Sequence, residues 1–212
     1  MLVKEAEKIT GGLSGPSKMP GPGYSIPATA CKVGAKLRKV PNSACAGCYA
    51  LKNRYMFPNT QNAMHRRMDS IQDDAWVDAM AFLINKQAAS AGVFRWHDSG
   101  DIQGMYHMDK ISKVCELTPT IRHWIPTRES KLVKQYMELK PLPPNLTVRI
   151  SAAMIDQDVS NEIPGTTYST IHSKPGTFAG AHECPAAKQG NKCGSCRACW
   201  DPSVKHVSYP KH

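Results

Sequence analysis

The sequence predicts an α/β fold: a parallel sheet, open or partly closed into a barrel, with a small irregular cysteine-rich tail at its C-terminal end. Three observations predict it. Strand-like runs alternate with helical runs from Val93 onward, the pattern of βαβ units. One amphipathic stretch of helical period precedes them. Four cysteines then crowd into residues 184–199, where apolar content is low, so that segment needs a staple rather than a core of its own. The reading divides the chain into a core, residues 1–181, and a metal-binding tail, residues 182–212, packed on it.

The elements follow in order. Residues 11–30 are rich in Gly, Pro and Ser and read as an irregular lead-in. A loop from Cys31 to Cys48 follows, and then a helix opening near "YALKNRYMF". Ala63/Met64, Met68, Ile71, Ala75, Ala79 and Phe82/Leu83 recur at helical spacing, which predicts a long helix over 60–90 with a possible break at Asp73–Asp74. "VFRWH" is a strand stopped by the turn "DSGD", and "MYHMDKISKVCEL" is a helix. "IRHWIPT" is a strand, "SKLVKQYMEL" a helix, and "LTVRISAAM" and "TTYSTIHS" are strands.

At 212 residues the chain suffices for one well-cored domain with a small appendage. No apolar run is long enough to span a bilayer, and "MLVKEAEKITGGLSGPSKMPGPG" has no apolar signal region. The expectation is a cytoplasmic protein with no membrane partner. In a reducing compartment eight cysteines point to metal ligands or core thiols rather than disulfides. The net charge is +10, and it is uneven: residues 1–60 carry nine Lys/Arg against Glu5 and Glu7, and residues 184–212 carry five against Asp201. Basic surface beside both cysteine segments suggests an anionic partner, a nucleotide or nucleic acid. The alternative is that lysines balance thiolate-rich metal centres, although two such centres would absorb only roughly three charges.

Cys184, Cys193, Cys196 and Cys199 are spaced C-x8-C-x2-C-x2-C. Such thiolates wrap a tetrahedral zinc ion or an iron–sulfur cluster, and the spacing does not choose between them. Cys31, Cys45 and Cys48 form a set of three. Three thiolates with a vacancy suit a catalytic centre; the alternative is a structural zinc completed by His65 or Asp101. Cys115, on an apolar helix face, reads as a core residue.

"CAGCYA" is similar to the Cys-x-x-Cys-Tyr end of the cluster motif of radical S-adenosylmethionine (SAM) proteins, particularly the spore photoproduct lyase-like branch. The resemblance implies a partial (β/α) barrel of radical-SAM type. It implies a [4Fe–4S] cluster on Cys31, Cys45 and Cys48, with SAM chelating the fourth iron and an electron donor if the protein is catalytic. "FRWHDSGDI" resembles the strand and glycine turn that contact the SAM amino group, which implies Ser99, Gly100 and Asp101. "WIPTRES" and "VRISAAM" place Thr127, Arg128, Arg149 and Ser151 at later strand ends, where the superfamily meets the carboxylate and ribose. Tyr49 follows the last cysteine as in that motif. The sequence departs from the pattern in a gap of fourteen positions from Cys31 to Cys45, in Gly47, and in Asp101 where glutamate is usual. The longer loop adds only about 1 kcal/mol of closure entropy. With "PNSACAGCYA", "HDSGD" and "CGSCRACWD" in order, nearly the whole chain is also similar to the bacteriophage family called gene product 88, which brings no settled activity.

His97 and Asp98 cluster with Asp101 at a strand end, the ligand-facing edge of an α/β sheet. They are candidate acid–base residues, against the alternative of a turn that satisfies its own backbone. His123 and Trp124 read as sheet-face residues and Arg66–Arg67 as a solvated helix face. Lys36, Arg38 and Lys39 are candidates for holding phosphates. No Walker A, G-x-G-x-x-G, G-x-S-x-G or H-E-x-x-H motif is present, which disfavours the common NTPase, dinucleotide-binding, esterase and zincin readings. Two functions remain: a radical-SAM-like enzyme acting on an anionic substrate, and a non-catalytic zinc or iron–sulfur nucleic-acid-binding protein.

Overall fold

A computed structural model describes residues 1–160 and 162–211. The strands are β1 (Gly23–Tyr24), β2 (Val93–Trp96), β3 (Arg122–Thr127), β4 (Leu146–Ile155), β5 (Thr167–His172), β6 (His182–Glu183) and β7 (His206–Pro210). They form one sheet in the order β1-β2-β3-β4-β5-β7-β6, and every pairing is parallel. The helices are α1 (Val3–Thr10), α2 (Lys32–Leu37), α3 (Pro58–Ser70), α4 (Trp76–Gln87), α5 (Met105–Glu116) and α6 (Ser130–Leu139). The observed fold is thus α/β and all-parallel, as the alternation predicts. No helix among the described residues is long and apolar enough to cross a membrane.

A parallel sheet is covered on both faces, and here the two covers differ. Phe94, Trp96, Ile125, Leu146, Val148 and Ile150 project to one side, against Trp76, Met80 and Ile84 of α4, Met108, Ile111 and Val114 of α5, and Val133 and Tyr136 of α6. Cys115 is in this core and fully buried, as its position on the apolar face of α5 predicts. The alternate residues face the other way. Val93 and Trp124 pack there with Trp200, Cys199, Tyr209 and Met19. Trp200 donates its indole N–H to the Phe94 carbonyl (2.8 Å). The C-terminal segment therefore covers this face and adds two strands to the sheet.

Two expectations need correction, and the break at Asp73–Asp74 is observed. "YALKNRYMF" forms two 3-10 turns, Tyr49–Leu51 and Asn53–Met56, rather than a helix. Asn53 is left-handed (φ 50°), and Pro58 at the first position of α3 holds Phe57 extended (ψ 137°). The stretch 60–90 is two helices, because the Asp73 carboxylate accepts the Ala75 N–H (2.8 Å) and caps a turn at the foreseen break. Arg67 is buried, not solvated: it donates to the carbonyls of Gly12 (2.8 Å) and Leu13 (3.1 Å) and ties down the lead-in.

Candidate metal centre

The chain from Pro27 to Phe57 crosses the carboxyl edge of β1–β4. Its far end is fixed by β4, which bulges after Ser151. The strand then receives the loop: Ala44 N–H donates to Ala153 (2.8 Å), and Ile155 N–H donates to Asn42 (3.0 Å). Its near end is fixed by the 3-10 turn Ala28–Ala30 and α2, where the Val33 N–H donates to the Glu129 carboxylate (2.9 Å). This route closes the fourteen-position gap, bringing Cys31 and Cys45 to either side of Gly34 and Cys48 near enough to act electrostatically on both.

The focus of that place is Gly34. A methyl group added there would lie 3.6 Å from the Cys45 Sγ and 3.7 Å from the Cys31 Sγ. Cys48 N–H donates to the Cys45 carbonyl (3.2 Å), so these two share one turn. Burial pushes the Cys31 thiol up to about 12, aided by Asp101, Cys48 and Cys45 and opposed by Arg128. Cys45 is raised by burial as well, again with Arg128 opposing and Cys48 and Asp101 adding to it. All eight cysteines are free. Among the described residues no group of three or more His, Cys, Asp or Glu side chains is arranged to hold a metal ion as it stands.

The glycine turn after β2 forms the floor. Gly100 is left-handed (φ +86°), and a Cβ there would come within 2.2 Å of the Ile26 side chain. No other residue fits. Asp101 is buried, and its carboxylate is fully engaged. It accepts from Thr127 Oγ1 (2.6 Å), the Ile102 N–H (2.8 Å) and the Arg128 N–H (2.9 Å). Burial still raises Asp101 to about 6. Its bonds lock the end of β3 so that the Arg128 guanidinium stands beside the loop thiols, with its Nε buried and unpartnered. The Ser99 hydroxyl is likewise buried without a partner.

Asp98 holds the outer wall. Tyr55 donates to its carboxylate (2.9 Å) and Tyr49 to its carbonyl (2.5 Å). His97 is left-handed (φ 55°) and buried, with neither ring nitrogen hydrogen-bonded. It packs edge-on to His107 at 5.2 Å. Burial, with Arg95 adding to it, lowers His97 to about 3, so its imidazole is neutral at physiological pH.

Arg149 and Ser151 lie on the opposite sheet face from the helices. Arg149 is fully buried and donates to the carbonyls of Tyr168 (3.0 Å), Ala198 (3.0 Å) and Val204 (3.1 Å). It clamps the tail onto the sheet. Ser151 accepts from Ser169 Oγ (3.4 Å).

The tail cysteines form the second group. Cys184 is placed by β6 beside β7, its N–H donating to Ser208 (2.8 Å), and Cys193 donates to Lys18 in the lead-in (3.0 Å). Burial raises both Cys193 and Cys199, and Cys184 adds to each. Cys199 Sγ lies 3.2 Å from the Tyr209 hydroxyl, and Cys196 Sγ lies 3.4 Å from His182 Nε2.

His65, one candidate fourth ligand, is exposed on α3. Sequence reasoning missed Gly34, Tyr55, Arg95 and His182. Arg95 stands between the two groups. It hydrogen-bonds Tyr49, lies 4.5 Å over the Trp124 ring, and acts electrostatically on Cys193 and Cys199. The signal for His182 was its place two residues before Cys184; Arg95 was hidden inside an ordinary strand.

No curated protein and no solved structure matches the chain. A family model described as Gene product 88 matches residues 1–202, a span that includes both cysteine groups, the glycine turn and strands β1 to β6. The chain belongs to the gene product 88 family.

Proposed function

We propose that the protein is an iron–sulfur enzyme of radical-SAM type, a partial (β/α) barrel whose Cys31, Cys45 and Cys48 hold a [4Fe–4S] cluster. When bound, the reduced cluster with SAM on its open iron supplies homolytic cleavage of SAM and the hydrogen-abstracting radical. The observation that supports the reading is the approach of the Cys31 and Cys45 sulfurs to Gly34, with Cys48 on the same turn as Cys45, at the ligand-facing edge of a parallel sheet. Cys31, Cys45 and Cys48 would be the thiolates that hold such a cluster. Raised thiols are costly to ionise without a cation, and Arg128 supplies part of the compensation.

The chain's own residues have definable tasks. Gly34 keeps room beside Cys31 and Cys45. Asp101 and Thr127 position Arg128, whose unpartnered Nε suits a carboxylate. Ser99 offers a hydroxyl without a partner. Tyr49, Tyr55 and Asp98 close the outer wall against water. Ser151 belongs to the same ligand set in this reading, while Arg149 acts through the tail it clamps. The tail quartet holds a second [4Fe–4S] cluster or a zinc ion. The substrate is anionic, the electron donor is a separate reductant, and the compartment is the reducing cytoplasm, which suits eight free thiols.

A second reading, a non-catalytic zinc or iron–sulfur nucleic-acid-binding protein, draws on one contact: His182 beside Cys196 makes a mixed nitrogen–sulfur set of the kind zinc prefers. Anaerobic purification followed by metal analysis and a SAM titration tests the choice. Iron at the loop site with saturable SAM binding supports the enzyme. Zinc at both sites, or no affinity for SAM, rejects it.

A further inference from the structure

The long stretch from Lys8 to Met68 contains no Asp or Glu, yet it carries ten Lys and Arg. Much of it is the segment that crosses the carboxyl edge of the sheet. Arg67 and Arg38 are spent on backbone carbonyls. Lys36, Lys39, Lys52 and Arg54 are instead exposed. Among the described residues the ion pairs are those of Asp109 with Lys113 and Lys140, so these four cations have no neutralising carboxylate.

Apolar side chains are interleaved with them. Val40, Tyr49, Met56 and Phe57 are 40%, 44%, 52% and 58% exposed, which is unusual for large apolar groups so close together in the chain. Phe57 lies between the turn Asn53–Met56 and α3 and belongs to none of the core clusters. Tyr49 and Tyr55 pair at 5.6 Å between ring centroids, and their hydroxyls are anchored on Asp98. One tyrosine ring and the phenylalanine ring are thus presented on an anchored scaffold and flanked by cations.

We propose that this surface, centred on Phe57, Tyr49, Lys52 and Arg54 and extended by Lys36 and Lys39, docks single-stranded nucleic acid. Exposed aromatic faces among unpaired cations are the chemistry that stacks unpaired bases and tracks their phosphates. A duplex hides its base faces, and α2, six residues long, is too short a helix to read a groove. The inference names the substrate class for the proposed reaction but is carried by surface residues alone. A protein that binds the strand yet holds no cluster keeps this inference and loses the enzyme reading.

The test uses the full-length protein purified without oxygen. Fluorescence anisotropy is measured with labelled oligothymidylate and oligouridylate about twenty nucleotides long, long enough to cover one module, and with a hairpin duplex. Binding to either single strand, tighter than to the duplex, is the expected result. The Phe57→Ala variant weakens it about tenfold, within the range for one lost base stack. Replacing Lys52 and Arg54 together by Gln lowers the slope of log affinity against log salt by about 1.4, two phosphates at about 0.7 each. Leu139→Ala, at an equally apolar exposed site on α6 (75% exposed), leaves binding unchanged. Circular dichroism and metal content confirm that each variant folds. Equal binding to duplex with no effect of Phe57→Ala overturns the proposal, and so does tighter sedimentation with phosphatidylserine vesicles than binding to either strand.

Discussion

Gly34→Ala separates folding from metal loading because it acts far more strongly on the second. Gly34 lies in α2 with no positive φ, so alanine is conformationally welcome and favours the metal-free helix by up to about 1 kcal/mol. The added methyl, however, would sit 3.0 Å from the Cys31 Cβ and in van der Waals contact with the Cys31 and Cys45 sulfurs at 3.7 Å and 3.6 Å. The first contact is too tight to persist. Both atoms are Cβ atoms whose places the backbone sets, so the first turn of α2 must shift by a few tenths of an ångström; that offsets the gain in propensity, and the methyl fills space beside both sulfurs. The expected outcome is a melting temperature within about 4 °C of the wild type, with affinity for iron at the loop site reduced at least severalfold. Iron and sulfide reconstitution, followed by visible absorbance and iron analysis, measures the second quantity; thermal unfolding of the metal-free form measures the first. A variant that loads iron as the wild type does would refute the assignment of Gly34 as the residue that keeps room beside Cys31 and Cys45.

Other perturbations probe the supports. Arg149→Met leaves the buried carbonyls of Tyr168, Ala198 and Val204 without a donor; the gain from no longer burying a cation offsets this in part. A net loss of about 3 kcal/mol by urea denaturation is expected, and a loss below about 1 kcal/mol would remove Arg149 as the clamp. Acid should destabilise the fold. His97 and His123 are held at about 3 by burial, Arg95 adding to it for His97, so the folded state binds fewer protons than the unfolded state. Their contribution is therefore complete above pH 6.5 and is lost as pH falls, roughly 3 kcal/mol each by pH 4. Asp101, raised to about 6 by burial, has the opposite sign and recovers roughly 2.5 kcal/mol over the same descent. Net acid destabilisation, flattened in His123→Phe, is the expected pH–stability profile; an unchanged slope in that variant would contradict it. Cys196→Ala should empty the tail site while the loop site loads normally, and loss of both metals together would show that the two groups are not independent.

The periodic elements were legible because their patterns serve packing alone. "SKLVKQYMEL" is α6 residue for residue, since its buried Val133 and Tyr136 lie on the face that meets the sheet. β2 to β4 were legible as apolar runs, and β5 as a run rich in Thr, Tyr and Ile. α1 was missed, although Gly11 at its left-handed C-cap (φ 75°) is an ordinary stop signal. β1, two residues long, has no pattern to read. Arg67 looked solvated because nothing local reveals that Gly12 and Leu13 will return to its guanidinium.

The site was half legible for the same reason. Cysteine type and spacing announced two groups, but how Cys31 reaches Cys45 depends on a bulge in β4 more than a hundred residues away. The protein partners of Asp101 and Arg149 were also invisible in the sequence. Asp101 serves the end of β3 through two hydrogen bonds. Arg149 serves the tail through its carbonyls. Both are charged residues at strand ends, and a strand end looks alike whether its partner is a ligand or the protein's own backbone.

The central claim concerns what the loop thiols hold. Protein purified without oxygen, wild type and Cys45→Ala, should be compared by iron analysis together with electron paramagnetic resonance after reduction. The account predicts about four irons per chain that disappear in the variant, with the signal of a reduced [4Fe–4S] centre. A single zinc lost on the same substitution, or a metal content that Cys45→Ala leaves untouched, would contradict it.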